Sequence, residues 1–276
     1  RVFGNMLYRV PQWFSQFRGR ILWVPSYEER YLPDADVLIA TAWSTAEAAS
    51  RLSEQKGKKF YFVQHYEPFY HAKQPGHAER AAATYALPFR RIVISSWLRD
   101  TLLEKHGVSS EVIVTPVDFE LFHVTTRHQY TNAHEFTDNG AVRILLLNHP
   151  SEWKGTTIGA KAVREVRQKF PNVRLISFGA HEKQPSIPCD EYHYNPPQET
   201  LRELYSSCHI YLCPSEWEGL GMPGMEAMAC GAALVTYDTG GSRDYAFDGK
   251  TAYVARHADF DDLTRKLAQA VGDPAG

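Results

Sequence analysis

The sequence lacks any apolar run approaching the roughly 18 residues that a helix needs to cross a bilayer. We therefore predict that it is not an integral membrane protein. It also lacks a strong charge of either sign: 30 basic and 32 acidic side chains leave a formal net charge of −2. Such a balance gives no global attraction to nucleic acid, so nucleic acid is not a predicted partner. Any anionic ligand must be held by local groups.

Cysteine is scarce, and its spacing is uninformative for metal binding. The four cysteines, Cys189, Cys208, Cys213 and Cys230, form no C-x-x-C pair, which indicates neither a zinc site nor a disulfide framework. We expect reduced, partly buried thiols in a cytoplasmic protein. The H-E-x-x-H zinc signature is also absent, and we predict a site with no metal ion and no cofactor.

The first 20 residues are basic and aromatic, with four arginines and no acid. A segment of this kind can lie on an anionic membrane surface, although Pro11 interrupts any continuous amphipathic helix. Two interpretations follow for residues 1–20: peripheral contact with the inner face of the membrane, and ordinary packing within a domain, which we favour. No secretory signal precedes them, and a chain that starts at Arg1 suggests a processed or truncated start.

Short β-rich runs alternate with helix-compatible segments, in the rhythm of a mostly parallel sheet. The rhythm pauses in the polar stretch 123–141 and then restarts. We predict an α/β protein with two Rossmann-like domains facing across a cleft, 1–122 and 142–276, joined by that linker. Ligands of such sheets collect at the carboxyl ends of the strands. The predicted strands are 20–24, 36–43, 59–66, 90–96, 111–116, 143–148, 173–179, 210–215 and 233–238.

The string GLGMPG at 219–224 matches the G-x-G-x-x-G pattern of dinucleotide sites. A predicted strand precedes it, and Asp238 ends the next strand, where such sites carry a ribose-binding acid. Other requirements fail, since Glu216, Trp217 and Glu218 separate the strand from the first glycine and the following helix has barely two turns. An NAD-dependent oxidoreductase is therefore a weak alternative.

Two glutamates frame the same glycines. Gly219 and Gly221 allow the backbone to approach a ligand closely, and Pro223 presets a helical turn whose amides suit a diphosphate. Glu218 in the loop and Glu226 in the first helical turn can accept hydrogen bonds from sugar hydroxyls. Helix capping explains Glu226 alone but not the pair. A ligand that has hydroxyl groups at both ends and phosphate between them is a nucleotide sugar, so this pattern predicts a nucleotide-sugar site.

Residues 214–249, PSEWEGLGMPGMEAMACGAALVTYDTGGSRDYAFDG, closely resemble the nucleotide-sugar motif of GT-B glycosyltransferases in retaining family 4. The shared features are two glutamates separated by seven residues, A-M-A-x-G, a strand and a G-G loop. The resemblance implies transfer of a sugar from a nucleoside-diphosphate sugar to a hydroxyl acceptor, with retention of configuration and without metal. The acceptor would be a glycan, a lipid-linked saccharide or a small natural product.

The resemblance also implies roles for residues of the second domain. Glu226 would bind the nucleotide ribose and Glu218 a hydroxyl of the donor sugar, with the backbone of Gly219, Leu220 and Gly221 close to sugar and phosphate. Without a covalent nucleophile, we expect front-face attack assisted by the donor phosphate, in which Glu218 orients the sugar.

Family members carry an arginine and a lysine after the first strand of this domain. Here Lys154 is present, but His149 stands where arginine is usual. Two interpretations follow: the charge that holds the diphosphate depends on pH, or another residue supplies it. Tyr194 lies where the family contacts the base, and its side chain does not discriminate among bases.

In the first domain, QHYEPFYHA at 64–72 places His65 where the family has a histidine facing donor sugar and acceptor. Glu67 and Tyr70 are candidates for acceptor contact, while a packed loop is the alternative for both. The string is similar to one in the rhamnosyltransferase-like branch, except that His65 replaces an aspartate and leaves the sugar open.

Two departures from the family pattern stand out. The glycine-rich loop that helps to bind the acceptor is missing before residue 20, and the chain ends after a single last helix. We therefore expect an incomplete first domain, and a non-catalytic module that binds nucleotide sugars is the alternative to an active enzyme.

Overall fold

A computed structural model describes residues 18–125, 141–180 and 187–273. They form two parallel sheets, one of four strands and one of six, each packed with helices. The predicted α/β class with two Rossmann-like sheets is confirmed. None of the helices in these three ranges has the length and apolar composition needed to span a membrane. The predicted membrane contact falls mainly on residues 1–17, outside the described residues, and most of the predicted linker is outside them too.

The first sheet has the strand order β1-β2-β3-β4, with every neighbouring pair parallel. A helix or a pair of helices follows each of the first three strands, as expected for right-handed crossovers between parallel strands. The elements are β1 (Val37–Ala40), α1 (Trp43–Ser50), β2 (Lys58–Val63), α2 (Glu67–Tyr70), α3 (His77–Thr84), β3 (Arg90–Val93), α4 (Ser96–His106) and β4 (Glu111–Val112).

The strand predicted at 20–24 is wrong. These residues have no regular secondary structure, and Ile21, Leu22 and Trp23 are 45%, 50% and 75% exposed. A strand needs a neighbour to satisfy its backbone, and within the described residues this sheet ends at β1. The short run of apolar residues at 21–24 could not reveal that.

The second sheet has the order β10-β9-β8-β5-β6-β7 and is also parallel throughout. Its central strand carries the fully buried run Ile144, Leu145 and Leu146, because helices cover both faces. The elements are β5 (Val142–Leu147), α5 (Thr156–Lys169), β6 (Val173–Gly179), β7 (Glu191–Tyr194), α6 (Gln198–Ser207), β8 (Ile210–Cys213), α7 (Met222–Ala229), β9 (Ala233–Tyr237), β10 (Tyr253–Ala255) and α8 (Phe260–Gly272).

Alternate residues of these strands point to opposite faces of the sheet and belong to two separate apolar cores. One lies under α5 and α8, whose buried positions recur every three or four residues, and the other lies under α6 and α7. Strands β7 and β10 are absent from the predicted strands, since they have only four and three residues and these carry little apolar pattern.

The core of the first sheet takes in a residue from the second domain. Leu220, in the loop between β8 and α7, is 1% exposed and belongs to the same cluster as Tyr61, Val93 and Leu98. The two sheets therefore meet through the loops at their carboxyl edges, and these loops carry most of the predicted site residues.

Candidate active site

Glu218 lies at the centre of this junction and is only 7% exposed. Its amide donates to the carbonyl oxygen of Thr239 at 3.0 Å, and its carbonyl accepts from the amide of Gly241 at 3.1 Å. A Cβ on Gly241 would overlap the carbonyl group of Gly219, so this close approach requires glycine. The G-G loop after β9 thus fixes the backbone of Glu218 on both sides.

Lys154, in the loop after β5, forms an ion pair with Glu218. Its Nζ lies 2.6 Å from Glu218 Oε1, and the two side chains are 15% and 10% exposed. Gly155 lets the two loops approach, because its φ is +66° and a Cβ there would overlap the carbonyl of Pro214. Lys154 Nζ also lies 4.3 Å from the ring centroid of Trp153. A buried cation and a buried carboxylate are therefore held together at the cleft.

The first domain contributes His65 and Tyr70 to the same place. Their ring centroids are 3.7 Å apart, and the Tyr70 ring stacks on Trp153 of the opposite domain at 4.3 Å. Both ring nitrogens of His65 and the hydroxyl of Tyr70 are buried and have no hydrogen-bond partner. Burial, and then the charge of Lys154, hold the pKa of His65 well below its usual value, so the ring is neutral at pH 7.

This neutrality predicts a pH effect on stability. Because the folded-state pKa of His65 lies well below 6.5, the unfolded chain takes up a proton there as pH falls through 6.5 and the folded protein does not. Lowering pH from about 7 to about 5 should destabilise wild type relative to His65→Gln, by up to about 1.4 kcal/mol per pH unit. Urea unfolding of both proteins at the two pH values measures this, and an unchanged difference between them would contradict it.

His149 sits beside this group at the end of β5. Its amide donates to Thr156 Oγ1 at 3.0 Å, and its Nδ1 accepts from the amide of Ser151 at 3.1 Å. Accepting at Nδ1 leaves the proton of the neutral ring on Nε2. Its ring centroid is 6.2 Å from that of Trp153. The structure thus brings together His65, Tyr70, His149, Lys154 and Glu218, all of which were predicted.

Glu226 lies on α7, the short helix that follows the glycine loop, but in its second turn and not in the first turn as predicted, because α7 begins at Met222. Burial raises the pKa of its carboxyl group, which accepts a hydrogen bond from the Tyr205 hydroxyl at 3.2 Å. Burial also raises the pKa of Tyr211 on β8, with the charges of Glu218 and Glu226 adding to the effect. Both predicted glutamates therefore lie around this strand end.

The glycine loop also brings the two domains together, and its role toward sugar and phosphate stays a prediction. A Cβ on Gly219 would overlap the carbonyl oxygen of Gln64, so this glycine serves the approach of the two domains. The side chain of Leu220 is buried in the apolar cluster of the first domain. Gly221 has φ +93°, and its carbonyl accepts from the Tyr245 hydroxyl at 3.0 Å.

Two further candidates are not part of the group. The Glu67 carboxylate accepts hydrogen bonds from the amide of Trp43 at 2.7 Å and the hydroxyl of Tyr61 at 2.8 Å, so it secures the start of α1 within the first domain. Tyr194 ends β7, the outermost strand on its side, and is 62% exposed. Their roles toward acceptor and base stay predictions.

The sequence missed the aromatic contacts across the cleft. Trp153 touches rings from both domains, and the only signal was its position next to Lys154. Trp217 packs against Phe69 at 4.4 Å and Trp97 at 6.0 Å. Such contacts join segments far apart in the chain, which local patterns do not connect.

Comparisons with known proteins agree with this geometry. The family model described as glycosyl transferases group 1 matches residues 133–275, just over half of the chain. The O-antigen biosynthesis protein RfbC of Myxococcus xanthus is 28% identical over 249 residues, which cover 88% of this chain and 19% of RfbC. The chain thus spans about a fifth of the length of that relative.

Solved structures share the fold at low identity. Sucrose-phosphate synthase from Thermosynechococcus elongatus superposes with a TM-score of 0.70 at 16% identity, covering 87% of this chain and 65% of that one. HepE of Anabaena, solved with UDP and glucose, gives a TM-score of 0.69 at 16% identity, covering 86% of this chain and 69% of that one.

Proposed function

The chain belongs to the glycosyl transferases group 1 family, and on this basis we propose that it transfers a sugar from a nucleoside-diphosphate sugar to a hydroxyl acceptor with retention of configuration. The family resemblance predicted from residues 214–249 is confirmed. The rhamnosyltransferase-like branch stays a prediction, as do the domain boundaries and a cytoplasmic location.

One observation carries the proposal: buried polar atoms without partners surround a buried ion pair at the cleft. Two of the residues, His65 and Tyr70, come from the first domain, and Thr239 Oγ1 adds a third group beside Glu218. Buried polar groups without partners are costly, so such a concentration supports a ligand rich in hydroxyl groups. The Lys154 ammonium supports a phosphate on the same ligand.

The geometry suits the chemistry of glycosyl transfer. Lys154 would stabilise the negative charge that develops on the departing diphosphate. A neutral His65 can donate one hydrogen bond and accept another, which suits a sugar hydroxyl at the donor or the acceptor. The contacts between the two sheets would exclude water, which otherwise hydrolyses the donor. Attack on the same face from which the diphosphate leaves needs no covalent nucleophile.

A thermal-shift panel tests donor binding. Because HepE was solved with UDP and glucose, UDP-glucose is the first probe, followed by GDP-, dTDP- and ADP-sugars. We expect one nucleotide class to raise the melting temperature of wild type by a few degrees, through binding linkage, and the response to vanish in Glu226→Ala. Glu199→Ala, which removes an exposed acid on α6, is the control and should respond like wild type.

The alternative, a non-catalytic module, predicts the same donor binding. Release of nucleoside diphosphate that depends on an added acceptor separates the two, since only the enzyme produces it. Stabilisation by NAD and by no sugar nucleotide would contradict both.

A further inference from the structure

Lys154 forms an ion pair within the protein itself. Its ammonium is 2.6 Å from the Glu218 carboxylate, and both side chains are largely buried. The backbone of Glu218 is fixed by hydrogen bonds to Thr239 and Gly241, so the carboxylate cannot leave with a movement of its loop alone. A phosphate that reaches Lys154 must therefore compete with Glu218 for the ammonium and lie beside that carboxylate.

A nucleoside diphosphate and a nucleotide sugar carry the same phosphates but affect the Lys154–Glu218 ion pair differently. A nucleoside diphosphate takes Lys154 and leaves Glu218 buried, charged and unpaired next to a second anion, which is unfavourable. A nucleotide sugar takes Lys154 but also brings hydroxyl groups, which can donate hydrogen bonds to Glu218 in place of the ammonium. The sugar thus replaces the hydrogen bond that the Glu218 carboxylate loses, whereas the nucleoside diphosphate provides no replacement.

Resting on the function proposed above, we propose that Glu218 determines specificity for the intact donor over the nucleoside diphosphate product, by holding Lys154 until a sugar hydroxyl replaces it. This discrimination favours entry of the donor and release of the product. His65 supports the role, because its ring lies at the same site as a neutral group and offers Glu218 no second cation.

The test compares two affinities in two proteins. Calorimetric titration of the full chain would use UDP, GDP, dTDP and ADP and the corresponding sugar nucleotides, with wild type and Glu218→Gln. Asp248→Asn is the matched control, since Asp248 pairs with Lys266, a lysine whose side chain is 10% exposed. It removes a carboxylate from a lysine buried to a similar degree and should leave both affinities unchanged.

We expect wild type to bind the nucleotide sugar at least about tenfold more tightly than its nucleoside diphosphate. Glu218→Gln should bind the nucleoside diphosphate about tenfold more tightly than wild type does, because one like charge a few ångströms away is gone. Its affinity for the nucleotide sugar should not rise, so the preference is lost.

Equal affinities of wild type for the two ligands would overturn the proposal, as would a folded Glu218→Gln with unchanged or weaker affinity for the nucleoside diphosphate. If Glu218→Gln does not fold, the wild-type comparison alone decides. Binding of neither ligand by wild type is a separate result, which overturns the proposed function as well.

Discussion

Replacing Lys154 by methionine should lower kcat/KM for sugar transfer about a thousandfold, because it removes a cation placed where the leaving diphosphate develops charge. Methionine keeps most of the length of the side chain but removes the ammonium, which lies 4.3 Å from the ring centroid of Trp153. The measurement is release of nucleoside diphosphate with a donor from the thermal-shift panel and a saccharide acceptor.

The same substitution should also destabilise the fold, since it leaves the Glu218 carboxylate buried and unpaired. We expect the free energy of unfolding to fall by about 3 kcal/mol, and the double variant Lys154→Met, Glu218→Gln to regain most of it without regaining activity. Lys266→Met is the control, because it should cost stability and leave the rate of transfer of the folded protein intact. A Lys154→Met variant within tenfold of wild-type activity would contradict the role of Lys154.

Gly219→Ala should reduce transfer about a hundredfold although it adds a single methyl group. That methyl group would overlap the carbonyl oxygen of Gln64, so the two domains must move apart. His65 follows Gln64 directly and would be displaced from Lys154 and Glu218, and a misplacement of about 1 Å can cost about a hundredfold in rate. Steady-state kinetics measures this loss.

Gly249→Ala is the matched control for this prediction. Gly249 has φ +67° and nothing within 4 Å of an added Cβ, so alanine there strains only the local backbone. We expect a loss of about 1 kcal/mol in stability with unchanged transfer. If Gly219→Ala were as active as Gly249→Ala, the contact between Gly219 and Gln64 would not matter for catalysis.

Much of the fold could be predicted from local pattern. Strands such as β5 and β6 carry long buried runs, and α5 and α8 have buried positions at helical spacing, so both kinds of element are visible in the sequence. The wrong and missing strand predictions concern segments whose secondary structure depends on pairing with a neighbouring strand. Residues 20–24 look like a strand but pair with none of the strands in the described part of the chain, whereas β7 and β10 are strands because a neighbouring strand pairs with each of them.

In the candidate active site, too, features that depend on local sequence could be predicted, and features that depend on distant segments could not. Glu218, Lys154 and His65 could be predicted because each follows a strand directly or lies in a motif of fixed spacing, and parallel strands place such positions at one edge. The role of Gly219 could not, because its closest approach is to a backbone carbonyl more than a hundred residues earlier in the chain. The role of Trp153 could not be predicted for the same reason, since two of its ring partners, His65 and Tyr70, lie in the other domain.

Leu220 has a consequence for the order in which the chain folds during synthesis. The ribosome releases the four strands of the first sheet long before it releases residue 220, so the apolar cluster around Tyr61, Val93 and Leu98 is first formed without Leu220. Met222, Met225 and Tyr245, which pack against the same cluster, emerge later still. The nascent first domain therefore exposes an apolar surface that these residues of the second domain cover, and the folding of the first domain is completed by a segment translated later.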